Sequence, residues 1–99
     1  MFILEERQHA LSRGAEILAD IAGYASTCDA YHRVQIAPDV VEPVRAIELA
    51  LADAGISAAD VGLIVAHGNG TRASDASEAA AILRVFGDRP PPVGPVSAR

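Results

Sequence analysis

The stretch VAHGNGTRASDASEAAAIL, residues 65–83, decides the fold of this chain. A short apolar run ends at His67, a Gly-Asn-Gly turn follows, and a helical pattern begins soon after it. A short apolar run bounded by turn residues is typical of a buried strand, and a strand-turn-helix unit is typical of layered α/β folds. The sequence therefore predicts a strand over 61–67 and a helix over 73–87, with His67 at the carboxyl end of the strand.

A second helix is predicted upstream of this unit, from Pro43 to Ala54. Proline is tolerated in a first helical turn, and Gly55 is a natural terminator. Its apolar residues recur at helical spacing and predict one buried face, made of Val44, Ile47, Leu51 and Ala54. The segment from Ser57 to Asp60 resembles a capped turn that leads into the strand.

The remaining segments predict further strands. Residues 1–6 are predicted to form a short strand, and a helical turn or connection follows it and ends at Gly14. Residues 16–26 alternate with two mostly apolar faces, which is typical of a buried strand. A proline-rich connection leads to another predicted strand at Val93–Ser97. The order β-β-α-β-α-(β) predicts an α/β fold in which helices pack on a mixed sheet.

Composition excludes several classes of function. The length of 99 residues allows one small domain. Hydrophobic residues make up 51% of the chain but aromatic residues only 4%, so the core must consist of Ala, Val, Ile and Leu. The net charge is −5 and every basic residue is arginine, so neither nucleic acid nor a membrane surface is an expected partner. The chain shows neither a membrane-spanning run nor a secretory signal, and the lone Cys28 fits a reducing compartment. A cytoplasmic protein is expected.

His67 is the first candidate site residue. In parallel α/β sheets, ligands bind beyond the carboxyl ends of the strands, where His67 is expected to lie. Gly68 and Gly70 allow close approach by a substrate, and the next helix points its N-terminus toward the same region. An imidazole there could act as a general base, donate to a developing oxyanion or bind a metal. A structural histidine beside a tight turn is the alternative that these residues leave open.

Other candidate groups have simpler interpretations. The glycine turn is a weak phosphate-binding signal, since it lacks both the Gly-Lys-Ser/Thr ending and the third glycine of the dinucleotide fingerprint. No metal site is expected, because the histidines are far apart in sequence and no compact ligand pattern accompanies them. Cys28 and His32 could pair as nucleophile and base, or Cys28 could be an ordinary loop cysteine. Asp75 and Glu78 stand at capping-box spacing, which predicts that they cap the helix over 73–87.

Taken together, these segments resemble the β-ketoacyl-acyl-carrier-protein synthases, the condensing enzymes of fatty acid and polyketide synthesis. The stretch from residue 65 is similar to their His-Gly-Thr-Gly-Thr segment, which continues to the acidic positions Asp75 and Glu78 and a helix ending near Phe86 and Gly87. Upstream, LEERQHALSRGAEILADIAGYASTCDAYH and VRAIELALADAGISAADVGLIVAHG resemble preceding segments of the family in the same order. The resemblance covers nearly the whole chain.

The resemblance implies a partial thiolase-like fold, with residues 1–99 as a single partial domain from the C-terminal half of a synthase. The implied reaction is a decarboxylative Claisen condensation of acyl and malonyl thioesters. His67 matches the first catalytic histidine, and Asn69 and Thr71 match positions that contact the phosphopantetheine arm. The supporting residues implied are Gly68, Gly70, Asp75 and Glu78. No separate cofactor is implied, because phosphopantetheine arrives on the acyl carrier protein, and the implied enzyme is a homodimer or heterodimer.

The chain also departs from the family pattern. Asn69 stands where the family usually has threonine. The resemblance places the nucleophilic cysteine before this chain and the second catalytic histidine after it, and Cys28 does not match the nucleophile. The isolated chain is therefore expected to be an inactive fragment. The alternatives are a non-catalytic partner of a ketosynthase, comparable to a chain-length factor, and a small phosphate- or nucleotide-binding α/β module.

Overall fold

A computed structural model describes residues 1–95 of the chain. The elements described, in chain order, are α1 (Arg7–Ser12), α2 (Val41–Ala54), a 3₁₀ turn (Ala58–Asp60), β1 (Ile64–Ala66), α3 (Arg72–Phe86) and β2 (Val93–Pro95). The two strands pair in parallel, with Ile64 opposite Val93 and Ala66 opposite Pro95. The unit β1-α3-β2 is thus the strand-helix-strand crossover that the central stretch predicts. Residues 96 and 97 of the last predicted strand lie outside the described residues.

Helix α2 confirms the predicted amphipathic pattern. The four residues predicted to form its inner face are all half-buried, whereas exposed positions lie between them. The helix ends at Gly55, which takes a left-handed conformation with φ of 68° and donates its N–H to Ala52 and Leu51 carbonyls. The predicted capped turn follows, because both the hydroxyl and the N–H of Ser57 donate to the Asp60 carboxylate, at 2.7 and 2.8 Å.

The prediction of strands at residues 1–6 and 16–26 is wrong for the described part of the chain, and the described sheet is a parallel pair instead of a mixed sheet. A strand exists only where a neighbouring backbone completes its hydrogen-bond ladder. No strand within residues 1–95 lies beside either segment. Residues 23–29 nevertheless alternate between half-buried and exposed, which is the period of an extended chain.

The second of these extended segments packs along α2. A Cβ atom on Gly23 would lie 2.5 Å from the Ala50 carbonyl oxygen and 2.6 Å from the Ala54 nitrogen, so only glycine fits this close approach. The neighbouring N–H of Tyr24 donates to Asp53 Oδ2 at 3.0 Å. Farther along, the Thr27 hydroxyl donates to the Glu42 carbonyl at 2.9 Å. The segment therefore runs antiparallel to the helix axis and is fixed at both ends.

The buried face of α3 agrees in part with the one that its apolar spacing predicts, which consists of Ala79, Ile82, Leu83 and Phe86. Ile82 is buried and Phe86 is half-buried as expected, whereas Ala79 and Leu83 are exposed and Ala81 is buried instead. The helix is rotated so that the partly buried side chain of Glu78 faces the turn after β1. An apolar cavity of about 430 Å³ remains between α2, α3, β1 and residues 22–23. The rotation of α3, with Glu78 facing the turn, sets the position of the start of α3 relative to the end of β1.

Within the described residues, the two-stranded sheet is covered by helices on one face only. Val65, in the middle of β1, is 62% exposed, so this strand is not buried on both faces as its apolar run predicts. The helices cover only one side of the parallel pair, which leaves alternate side chains of β1 open. None of the helices within residues 1–95 combines the length and the apolar character that a membrane crossing requires.

Candidate functional site

The turn between β1 and α3 places the predicted site residues within a few positions of one another. His67 follows the last residue of β1, as predicted. Gly68 and Gly70 both take positive φ, of 48° and 79°, in the region that favours glycine. The chain reverses through these two glycines and enters α3 at Arg72. The sequence thus explains the turn, because its glycines stand at the two positions that need this backbone conformation.

A carboxylate from α3 holds the first half of this turn. Glu78 Oε1 accepts the backbone N–H of His67 at 2.8 Å, and Oε2 accepts the N–H of Gly68 at 3.0 Å. Hydrogen bonds from a backbone N–H to a charged carboxylate are stronger than bonds between neutral groups. The pair of bonds fixes the backbone at His67 in both position and direction.

The prediction that Asp75 and Glu78 form a capping box is wrong. Glu78 bonds the turn, and Asp75 Oδ1 accepts the N–H of Gly70 at 3.3 Å. The residue that caps α3 is Thr71, whose Oγ1 accepts the N–H of Ser74 at 3.4 Å. A signal for this cap is present in the sequence, since a threonine directly before a helical run is a favoured N-cap.

Asn69 and Thr71 form a locked pair at the tip of the turn. Asn69 Oδ1 accepts both the N–H of Thr71 at 3.0 Å and its hydroxyl at 2.9 Å. The hydroxyl proton of Thr71 is therefore used within the pair. The side-chain amide nitrogen of Asn69 retains two N–H donors, since only the oxygen of the amide takes part. The pair offers hydrogen-bond donors to an incoming group through Asn69.

The hydrogen bonds of the turn contradict a phosphate-binding module. Such a module needs backbone N–H groups that point at the anion. Here the N–H groups of His67 and Gly68 donate to Glu78, and that of Gly70 donates to Asp75. Two carboxylates thus occupy the place that a phosphate would take and would repel it.

The His67 side chain is exposed, and no hydrogen bond holds its ring within the part of the chain that the structure describes. Its backbone is fixed while its imidazole faces open space at the strand end. This arrangement suits an imidazole that acts on a bound molecule, as a base or as an N–H donor. No group of three or more potential metal ligands lies together among residues 1–95.

Cys28 and His32 lie elsewhere, in the lining of an open depression of about 720 Å³ formed by residues 27–33 and Pro43. The Cys28 thiol is exposed. His32 Nδ1 accepts the backbone N–H groups of Val34 and Gln35, each at 3.1 Å. That nitrogen is therefore engaged with the loop backbone, and His67 is not part of the lining.

Most of the chain matches a known protein family. A family profile described as the C-terminal domain of beta-ketoacyl synthase matches residues 18–98. Nodulation protein E of Rhizobium meliloti is 50% identical over 88 residues, which are 89% of this chain and 21% of that protein. The 3-oxoacyl-[acyl-carrier-protein] synthase 2 of Synechocystis sp. is 46% identical over 88 residues, with the same coverage of 89% and 21%. The chain thus spans about a fifth of the length of these curated relatives.

A solved structure matches the fold as well. It is described as a type II PKS acyl-carrier protein in complex with its ketosynthase bound to the hexaketide. The match has a TM-score of 0.85 and 40% identity, and it covers 93% of this chain and 23% of that one. This similarity confirms the expected partial thiolase-like α/β fold.

Proposed function

This chain belongs to the beta-ketoacyl synthases through their C-terminal domain, and from that premise we propose that it supplies one catalytic histidine of a condensing enzyme. The reaction is the decarboxylative Claisen condensation of an acyl thioester with a malonyl thioester. The nucleophilic cysteine and the second histidine belong to parts of the synthase that the family resemblance places before and after these residues. The turn after β1 is the contribution of this chain to the active site.

His67 carries the proposed chemistry. Loss of carbon dioxide from a malonyl thioester leaves an enolate whose negative charge lies on the thioester oxygen. An imidazole N–H aimed at that oxygen stabilises the charge as it develops and lowers the barrier. The observation that supports this role is that Glu78 accepts the N–H groups of both His67 and Gly68, which fixes the backbone of His67 before any substrate binds. A donor whose backbone is already held in place needs less reorganisation during the reaction.

We propose Glu78 and Asp75 as positioning residues and the two glycines of the turn as their partners. Glu78 holds His67 and Gly68, and Asp75 holds Gly70, so each carboxylate fixes a different part of the turn. Asp75 lies in the first turn of α3, where the positive end of the helix favours negative charge. The acidic residues therefore act through the turn, and neither is assigned a contact with the substrate.

We propose that the substrate arm binds at the locked pair of Asn69 and Thr71, with Asn69 donating to the arm and Thr71 holding Asn69 in place. A phosphopantetheine arm contains amide groups whose carbonyl oxygens accept hydrogen bonds. The Asn69 amide nitrogen is the donor of this pair, because the Thr71 hydroxyl already donates to Asn69 Oδ1. The partner that delivers the arm is an acyl carrier protein, and the complete enzyme is a homodimer or a heterodimer. We propose the cytoplasm as its compartment, since a lone cysteine fits a reducing environment.

The test is substitution of His67 in the intact protein. His67→Ala should reduce condensation of acyl and malonyl groups by about 10²–10³-fold, the loss expected for one donor to a developing oxyanion. Transfer of the first acyl group to the nucleophilic cysteine should continue, which separates the missing histidine from a general loss of structure. Condensation by His67→Ala within about threefold of the unsubstituted protein would overturn the proposal, because the donor would then contribute little.

A further inference from the structure

The loop before α2, residues 30–40, is held in its shape by hydrogen bonds to side chains. Two residues with positive φ bracket it, Ala30 at 50° and Val40 at 52°. A β-branched residue such as valine is a genuine outlier in this region of backbone conformation. Backbone of this kind persists only where the surrounding contacts hold it. The conformation of the loop therefore depends on the side chains that form hydrogen bonds with its backbone.

Three side chains form hydrogen bonds with the backbone of the loop. Asp29 Oδ2 accepts the N–H of the buried Ala37 at 2.9 Å, which closes the base of the loop. From α3, Arg84 Nη1 donates to the Asp39 carbonyl at 3.0 Å. In the middle of the loop, His32 Nδ1 accepts two backbone N–H groups at 3.1 Å. The central contact is the one made by a histidine nitrogen.

An imidazole nitrogen accepts a hydrogen bond only when it carries no proton. With Nδ1 engaged as an acceptor, His32 is neutral and its proton lies on Nε2. Protonation converts Nδ1 into a donor that faces the two N–H groups of Val34 and Gln35. Both bonds are then lost, and the three N–H donors face one another. Histidine is the side chain that makes this change between pH 5 and 8.

The neighbours of His32 do not offset this effect. The titratable or charged groups that line the same depression are Cys28, Asp29, Tyr31 and Arg33. Asp29 is engaged with Ala37, and Arg33 would repel an imidazolium. Helix α2 contributes only Pro43 to this lining, which carries no charge.

We propose that His32 is a pH-sensitive latch of the loop. The neutral imidazole holds Val34 and Gln35 beside the exposed Cys28 thiol, and its protonation releases these two residues. The release leaves α2 and the β1-α3 unit in place, because their contacts do not involve His32. The inference is independent of the condensing activity, since it concerns a loop that lacks His67 and its turn.

The test is amide hydrogen exchange in the intact protein at pH 7.5 and 5.5, with each rate divided by its intrinsic rate at that pH. Protection of the Val34 and Gln35 amides should fall about tenfold or more at the lower pH, the effect expected for loss of one hydrogen bond. The Ile64 amide, which donates to the Pro92 carbonyl at 2.9 Å, is the reference and should keep its protection. His32→Asn retains an acceptor oxygen that does not titrate, so its loop should be equally protected at both pH values.

Two results would overturn the latch. One is equal protection of Val34 and Gln35 at both pH values in the unsubstituted protein. The other is a fall in protection that persists in His32→Asn, because another group would then be responsible. If His32→Asn does not fold, the ¹⁵N signals of the His32 ring decide the matter. The latch requires an Nε2-protonated ring at pH 7.5 that titrates with the same midpoint as the exchange of the two amides.

Discussion

The carboxylate of Glu78 lies in the second turn of α3, yet its Oε1 accepts the backbone N–H of His67 at 2.8 Å. The same carboxylate accepts the N–H of Gly68 through its other oxygen. Two residues that are eleven positions apart in sequence are thereby joined across the strand-turn-helix unit. The position of His67 is set by this bond as much as by the glycines that shape the turn.

Glu78→Gln should therefore reduce the rate of condensation and leave substrate binding nearly unchanged. The amide nitrogen of glutamine is a donor, and it would face either the N–H of His67 or that of Gly68, so one end of the turn must move. A displacement of about 1 Å at a reacting group costs about 10²-fold in rate. Steady-state kinetics on the intact protein should show this loss in kcat, with KM for the carrier-bound substrate within about threefold.

Glu48→Gln is the matched control for that change. Glu48 is exposed on α2, and no hydrogen bond to its side chain occurs among the described residues. The same chemical substitution there should leave kcat and KM as they are. A kcat for Glu78→Gln that equals the control would show that the turn keeps its shape without the carboxylate.

Asn69→Asp tests which group of the turn contacts the substrate arm. The carboxylate keeps an oxygen that accepts from Thr71, but it removes the two N–H donors of the amide. KM for a malonyl-pantetheine thioester should rise about tenfold, the cost of one hydrogen bond. Decarboxylation of a malonyl thioester of a simple alkane thiol, which has no amide to bind, should change little.

Comparison with Thr71→Val completes the Asn69 experiment. Loss of the hydroxyl removes the N-cap of α3 and costs about 1 kcal/mol of stability, visible as a lower unfolding midpoint. It should not raise KM selectively for the pantetheine substrate. If Thr71→Val, and not Asn69→Asp, separates the two substrates, threonine is the arm-binding residue and the proposed division of roles is wrong.

Gly23→Ala should lower the free energy of unfolding by about 1–3 kcal/mol, the usual cost of overpacking. The added Cβ would lie 2.5 Å from the Ala50 carbonyl oxygen, so residues 22–24 must separate from α2. Separation also breaks the bond from the Tyr24 N–H to Asp53. Urea unfolding of the intact protein measures the loss.

Gly62→Ala is the matched glycine variant. A Cβ at Gly62 meets nothing within 4 Å, and its φ is not in the left-handed region. The substitution should change stability by less than about 0.5 kcal/mol or raise it slightly, since alanine restricts the unfolded chain. Equal losses for Gly23→Ala and Gly62→Ala would contradict the close packing of residue 23 on α2.

Asp60 should contribute to the dependence of stability on pH. The Ser57 hydroxyl and the Ser57 N–H donate to its carboxylate and hold its pKa below the ordinary value of 3.8. A carboxyl whose pKa is lower in the folded state stabilises that state above its unfolded pKa. The contribution is then lost as the pH falls through the folded value. The expected change thus lies below about pH 4.

The measurement is the unfolding midpoint of the intact protein and of Asp60→Asn from pH 5 down to pH 2. The asparagine oxygen still accepts from Ser57 but does not titrate, so the midpoint of Asp60→Asn should fall less steeply in this range. The two proteins should differ by a constant amount above pH 5. Identical slopes below pH 4 would mean that Asp60 has the same pKa in the folded and unfolded chain.

Local sequence patterns predicted the elements that are determined by residues close together in the sequence. The start of helix α2 was predicted to within two residues. Its signals, the apolar spacing and Gly55, lie within the helix or directly after it. The turn after β1 was also predicted, since Gly68 and Gly70 are the residues that adopt positive φ at little cost. The capped turn at Ser57 and Asp60 depends on neighbours three positions apart.

Contacts between distant segments were not predictable in this way. Residues 1–6 and 16–26 have the composition of strands, but a ladder needs a partner backbone that their own sequence does not specify. The capping-box interpretation of Asp75 and Glu78 failed for a related reason. Their spacing fits a capping box, and the rotation of α3 toward β1 decides that they bond the turn instead.

The sequence by itself determined that this chain is an α/β unit with a histidine at the end of a strand, because periodicity, glycine placement and motif order are properties of neighbouring residues. Tertiary structure alone decided how that histidine is held. The two bonds that Glu78 accepts form only after α3 packs beside β1, and the locked pair of Asn69 and Thr71 forms only once the turn has closed. Hydrogen bonds depend on distances in space, and those distances are set by packing between elements that the sequence order keeps apart.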